Sequence, residues 1–230
     1  MAEPSIVVRG LKKSYGSGSS AVPVLRGVDM TVQPGEFVAV LGPSGSGKST
    51  LLNMLGLMDR PDEGTLKLGG ADAASLDDDA RARLRNERLG FVFQFDSLLP
   101  EFTILENVLM PARIAAARGI AAEPFPAAEK RALELLESLG IAKLRDRFPA
   151  QTSGGERQRA AIARALANRP AVILADEPTG NLDRANGSKV FADLKRLARE
   201  HAVAIVLVTH DETEAKTAGR VLRMDDGLLR

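Results

Sequence analysis

Residues Gly42-Pro43-Ser44-Gly45-Ser46-Gly47-Lys48-Ser49 keep the spacing G-x-x-x-x-G-K-[ST], the pattern in which a chain wraps a phosphate. Glycines let successive backbone N–H groups turn inward, and the start of a helix adds positive potential. The Lys48 ammonium then reaches β- and γ-phosphates, and the Ser49 hydroxyl supplies an oxygen for Mg²⁺. The setting is the required one, because an apolar run, Phe37 to Leu41, precedes the loop and a helical run from Thr50 to Leu55 follows it. A second constellation lies far downstream, where Val172-Ile173-Leu174-Ala175-Asp176-Glu177-Pro178 puts two carboxylates at the exit of an apolar strand. Paired acids there are costly unless a cation meets them. Asp176 suits Mg²⁺, directly or through a water, and Glu177 suits a general base that polarises an attacking water. The alternative is that both acids cap a following helix.

These residues need a frame. Short β-branched apolar runs at Ile6 to Val8, Val38 to Leu41, Leu89 to Phe93, Val172 to Ala175 and Val203 to Val208 read as buried strands. Helical patterns lie at Lys48 to Leu57, Asp77 to Asn86, Ala127 to Leu139, Glu156 to Ala167 and Asn186 to Glu200. Their alternation predicts an α/β fold with a mostly parallel sheet covered by helices. Val24 to Gln33 and Gly64 to Leu68 read as antiparallel additions. Residues 96–166 carry helical periodicity and little strand signal, so a helical lobe is expected between core strands. Gly16 to Ser20 and Ala115 to Pro126 read as connecting loops.

Composition sets bounds. A chain of 230 residues has room for one α/β domain with a smaller lobe, and 44% hydrophobic with 27% charged residues is ordinary for a globular protein. Thirty-one Lys and Arg against 30 Asp and Glu imply no bulk attraction to nucleic acid or anionic lipid. The absence of cysteine excludes disulfides, thiolate metal sites and Cys nucleophiles. Met1-Ala2-Glu3-Pro4 begins no signal peptide, and no apolar run reaches the roughly 18 residues that cross a bilayer, so no direct membrane insertion is expected.

With the phosphate loop and the acidic pair go four further elements: Gln94, Ser153-Gly154-Gly155-Glu156, Asn181-Leu182-Asp183 and His210. In this order they make the chain resemble the ATPases of ABC transporters from end to end. The resemblance implies a P-loop NTPase (RecA-like) core over 1–95 and 167–230, with N-terminal antiparallel β additions and an inserted α-helical lobe at 96–166, all one ATPase domain. It implies ATP and Mg²⁺, with Gly42 to Thr50 on the phosphates and Ser49, Gln94 and Asp176 toward the metal. Tyr15, the one tyrosine, would stack on adenine, although a packed strand-end aromatic reads the same way. His210 would contact the γ-phosphate and steady the attacking water beside Glu177 and Gln94, or it is a structural histidine. Ser153 to Glu156 would bind the γ-phosphate held by a second copy, so that two chains sandwich two ATP molecules head to tail, while a capping turn alone also explains that segment. Asp183 would lie across that interface, or cap the next helix. His201 reads as surface.

Within the family, Thr152 and Glu156 depart from the usual Leu-Ser-Gly-Gly-Gln. The runs Phe93-Gln94-Phe95, Leu98-Leu99-Pro100-Glu101-Phe102-Thr103 and Leu105 to Pro111 resemble the ATPases of lipoprotein-releasing systems, in the branch that also holds macrolide exporters and a cell-division ATPase. That implies a place on the cytoplasmic face of the inner membrane, docked to integral permease subunits through the region after Gln94. Leu98 and Phe102 suit either a groove for a partner's coupling helix or the core of the lobe. A soluble ABC ATPase acting on ribosomes or DNA would ordinarily add a second cassette, a coiled-coil insertion or strong basic patches, whereas this chain has one cassette, near-zero net charge and no sustained heptads.

Overall fold

The computed structural model describes residues 3–16, 18–73 and 75–230. Its strands are β1 (Ile6–Tyr15), β2 (Val22–Val32), β3 (Phe37–Leu41), β4 (Glu63–Leu68), β5 (Ala71–Asp72), β6 (Leu89–Val92), β7 (Val172–Asp176), β8 (Ala204–Thr209), β9 (Arg220–Asp225) and β10 (Leu228–Leu229). One sheet has the order β2-β1-β4-β5 and is antiparallel. The other has the order β10-β9-β3-β8-β7-β6, parallel throughout except for the antiparallel β10 edge.

Alternation within each central strand explains why this second sheet is covered on both faces. Val38, Val40, Val172, Leu174, Ala204, Val206 and Val208 join one apolar cluster with β1, β2, β4 and helix α1 (Lys48–Leu55). Ala39, Leu41, Ile173, Ala175, Ile205 and Leu207 point the other way, as the two-residue period of a strand requires. They meet residues of α3 (Ile104–Ala117), α4 (Phe125–Ser138), α5 (Gly154–Leu166) and α6 (Arg184–Glu200). The helices of 96–166 therefore share an apolar cluster with the sheet. Helix α2 (Asp78–Arg88) precedes β6 and the short α7 (Glu212–Ala215) follows β8.

Several elements differ from expectation. The strand expected at Ile6 to Val8 is ten residues long and lies in the antiparallel sheet, because Leu11 reaches the same core past a register shift at Gly10. The β9–β10 hairpin was not expected, since only Met224 of β9 is buried and no apolar run marks it. The connection expected over Ala115 to Pro126 is shorter. Helix α3, started by a Thr103–Glu106 capping box, continues to Ala117, and α4 begins at Phe125 with Pro124 as its extended cap and Pro126 where a missing N–H costs nothing. Of the loop expected at Gly16 to Ser20, Ser17 lies outside the described residues and Gly18–Ser20 is a short 3-10 turn. Leu98 belongs to the core and Phe102 is half-buried, whereas Phe95 and Leu99 are exposed.

Helix α5 lies so close to β6 that a Cβ on Gly90 would stand 2.3 Å from the carbonyl oxygen of Ala165. Since that neighbour is backbone, neither element yields by a rotamer change. Gly90→Ala is expected to lower stability by about 1–3 kcal/mol, the usual cost of overpacking, read as a lower urea midpoint at an unchanged slope.

Candidate functional site

Strands β3, β8, β7 and β6 run parallel, so their exits share one edge of the sheet, where ligands of open α/β sheets gather. The Gly42–Ser49 loop leaves β3, the acidic pair ends β7, His210 follows β8, and Gln94 lies just beyond β6. Gly47 takes φ +106° as the residue before α1 and offers that helix no side-chain cap. The first N–H groups of α1 are thus left to an anion. The Lys48 side chain folds back over the loop and donates to the carbonyls of Gly42 and Pro43, 2.8 Å each, with the residue only 7% exposed. The Ser46 hydroxyl beside it is buried without a hydrogen-bond partner.

Burial and the adjacent Glu177 charge push the Asp176 carboxyl above the usual carboxylate range, and Lys48 opposes them. Glu177 has a left-handed backbone, φ +43°, held by its N–H to the Val208 carbonyl at 2.9 Å. Its Oε1 stands 2.7 Å from Nδ1 of His210. Neither acid caps α6; Asp183 takes that role, accepting from the Asn186 N–H at 3.0 Å and from its amide at 2.6 Å. Ser49 is exposed and Thr50 half-buried on the first turn of α1.

A divalent cation fits this donor set. The Ser49 hydroxyl, the Asp176 carboxylate and the Gln94 amide carbonyl are hard oxygens, and Asp176 is short of compensating charge. Among the described residues no group of three or more His, Cys, Asp or Glu could hold a metal by itself.

The other expected residues fall into two groups. The Gln94 side chain packs against Gly180, and its main-chain carbonyl accepts from the Asn181 side-chain amide at 3.0 Å. The following loop is fastened to α5 by Gln158 to the Phe93 carbonyl (2.7 Å), Arg157 to the Asp96 carboxylate (2.8 Å), and Arg164 to the carbonyls of Ser97 and Asp96. Leu182 and Asn186 lie against Gly154 and Gly155. Gln94, the Asn181 to Asp183 turn and the start of α5 thus form one cluster. Ser153 and Glu156 make a complete capping box, with the Ser153 N–H and hydroxyl each 2.8 Å from the Glu156 carboxylate. None of their hydrogen bonds reaches residues 42–50. Thr152, in place of leucine, donates its hydroxyl to the Pro149 carbonyl at 2.9 Å and anchors the turn in that way. Tyr15 stands apart from the acids, at the end of β1, and His201 is exposed at the end of α6.

Sequence reasoning missed one carboxylate here. Glu214 of α7 accepts from the Thr179 hydroxyl with one oxygen and from the Thr209 hydroxyl with the other, the latter at 3.0 Å. It clasps the turn after Glu177 to the strand end before His210. No spacing pattern flags it, because the partners meet only through the parallel pairing of β7 and β8.

The ABC transporter family model matches residues 25–180. The lipoprotein-releasing system ATP-binding protein LolD 2 of Caulobacter vibrioides is 51% identical over 229 residues, covering 100% of this chain and 98% of that protein. LolD of Novosphingobium aromaticivorans is 46% identical, with 100% of both covered. Among solved structures, a dimeric ATP-binding cassette in a post-hydrolysis state bound to ADP and Pi superposes with a TM-score of 0.85 at 39% identity, covering 98% of this chain and 96% of that one. A dimeric bacterial ABC transporter cassette gives 0.85 at 40%, with the same coverage. The P-loop NTPase fold expected from the sequence is the fold observed. Among the described residues no helix is long and apolar enough to cross a membrane.

The raised Asp176 carboxyl makes a stability prediction. A carboxylate with a raised folded pKa supports the fold below its unfolded pKa and loses that support as pH rises through the folded value. Asp176→Asn should therefore melt higher than the parent near pH 8 without nucleotide, with the difference shrinking toward about pH 4; a lower melting temperature at both pH values would contradict it.

Proposed function

This chain belongs to the ABC transporter ATP-binding family, and on that premise we propose that it is the ATP-hydrolysing subunit of a lipoprotein-releasing transporter, working as a head-to-tail dimer on the cytoplasmic face of the inner membrane. As a member of the family it binds and hydrolyses ATP. The lipoprotein-release reading is carried by identities of 46–51% over the whole chain to proteins named for that system. The dimer is supported by the dimeric state of both solved cassettes. It is supported also by Ser153–Glu156, whose helix start carries N–H groups and has no bond to the phosphate loop of its own chain.

The residues divide the work. Lys48 exchanges its carbonyl partners for β- and γ-phosphate oxygens, and the N–H groups of the loop and of α1 hold the rest. Mg²⁺, when bound with ATP among Ser49, Gln94 and Asp176, neutralises phosphate charge. Glu177 takes a proton from the attacking water, and His210, 2.7 Å away, holds that carboxylate in place and reaches the γ-phosphate. Ser153 and Gly154 to Glu156 contribute from the opposite copy, with Asp183 beside them. Loss of the γ-phosphate removes contacts that only the closed dimer makes, and that difference in affinity between ATP and ADP is what drives separation.

The permease side falls beyond Gln94. A groove of about 500 Å³ is lined by Met58, Phe91, Phe93, Met110 and Ile114, with Arg85, Arg118 and Arg164 also at its walls. Apolar floor and basic rim suit a short amphipathic helix from a membrane subunit. The Arg157, Gln158 and Arg164 bonds connect this groove to α5.

Glu177→Gln should retain ATP binding and lower turnover by on the order of 10² to 10⁴, the range for losing a general base; normal hydrolysis by that variant removes Glu177 from the role. Lys48→Ala should abolish nucleotide binding in calorimetry. Copurification of the Glu177→Gln chain with ATP from native membranes should bring down permease subunits of a lipoprotein-releasing system. Recovery of an exporter or division permease instead would redirect the reading, and recovery of none would favour a soluble role.

A further inference from the structure

Asp59, half-buried in the turn beyond α1, gathers several donors. Its oxygens accept from the Tyr15 hydroxyl at 2.9 Å, the Lys13 ammonium at 3.0 Å and the Arg60 N–H at 2.6 Å. Its main-chain carbonyl is held by the buried guanidinium of Arg81. Lys13 adds a bond to the Arg60 carbonyl at 2.7 Å and stands 5.3 Å from the centre of the Tyr15 ring. Asp62 binds the Ser14 N–H at 2.6 Å, a second staple between the same two segments. Yet Tyr15 is 42% exposed and is no member of the buried core.

Stability alone is an incomplete account of this cluster: the Lys13–Asp59 pair is part-buried, yet it is spent on a ring that stays exposed. Positioning is a better one. A free aromatic side chain at a strand end loses rotational freedom when a ligand stacks on it, and a ring already tethered at its hydroxyl has lost that freedom beforehand. Lys13 stands over the ring, leaving the rest of it for a ligand. The tether also reaches the phosphate end of the site, since Asp59 follows the helix whose first turn carries Lys48, Ser49 and Thr50. The Thr50 hydroxyl itself neighbours that of Tyr15.

We propose that Asp59, with Lys13, is a positioning residue that fixes the Tyr15 ring as a platform for the nucleotide base at a set distance from the phosphate loop. The inference rests on reading Tyr15 as the residue that stacks on adenine. The charge states suit it. Burial, then the hydrogen bond and charge of Asp59, push the Tyr15 hydroxyl above its usual value. Against its own burial, the Arg60 N–H, Lys13 and Tyr15 hold the Asp59 carboxyl below the carboxylate range. Phenol and carboxylate therefore both keep the form the bond requires at neutral pH.

The test compares ATP with inorganic tripolyphosphate, which has the phosphates and no base, by calorimetry on the purified chain. Asp59→Ala should weaken ATP on the order of 3- to 10-fold, the worth of one hydrogen-bonded restraint, and leave tripolyphosphate unchanged. In turnover it should raise KM by a larger factor than it lowers kcat. In a Tyr15→Ala background the same substitution should cost nothing further. Tyr15 is the only tyrosine and there is no tryptophan, so the emission anisotropy of that one residue should fall in Asp59→Ala. Asp59→Leu, which keeps the bulk and offers no acceptor to the Tyr15 hydroxyl, carries the same comparison if the alanine variant does not fold. Unchanged ATP affinity, an equal loss for both ligands, or an additive loss in the Tyr15→Ala background overturns the proposal. If Tyr15→Ala alone binds ATP as the parent does, the stacking reading fails before the positioning one.

Discussion

Parallel hydrogen bonding between β3, β8, β7 and β6 is the constraint on which everything else rests. It makes four chain exits, far apart in sequence, leave the sheet at one edge, in an order set by register. Leu41 lies opposite Thr209, and Asp176 opposite Val208. The sheet itself needs no help from the reacting groups, because alternate residues of each strand are buried in separate apolar clusters on its two faces.

What stands at that edge is incomplete in a consistent direction. Lys48 is satisfied only by two carbonyls of its own loop, the Ser46 hydroxyl has no partner, and Asp176 carries a charge its surroundings disfavour. Glu177 adds a left-handed backbone, which in a residue with a side chain costs on the order of 1–3 kcal/mol. A ligand bearing negative oxygens and a cation is the kind of group that would satisfy Lys48, Ser46 and Asp176. They would be defects in a protein with no such ligand.

The parts legible in sequence were those whose neighbours are covalent. The phosphate loop, the strand before it and the helix after it occupy one unbroken stretch, so type and spacing suffice. The acidic pair was legible because an apolar run stops at it. Other features depend on tertiary pairing. Glu214 meets Thr179 only because β7 lies beside β8. The β9–β10 hairpin is an edge with one buried side chain in β9, hence without hydrophobic pattern. Helix α3 was masked by Pro111 inside it and by alanines that read as linker, although a capping box marks its start. Ser153 and Asp183 each turned out to be helix caps in the single chain, so a capping role and a role toward a second copy are compatible in one residue.

The fastening of the loop after β6 to α5 has a mechanical consequence. Arg157, Gln158 and Arg164 are spread over two turns of one helix and grip the loop at Phe93, Asp96 and Ser97. Gripped at points that far apart, the loop is held in orientation as well as in place. The nearest grip, Arg157, stands one turn from the capped turn at Ser153 and also donates to the Thr152 carbonyl at 2.7 Å. One guanidinium thus joins the loop after β6 and the turn before α5, and the two share a single anchor.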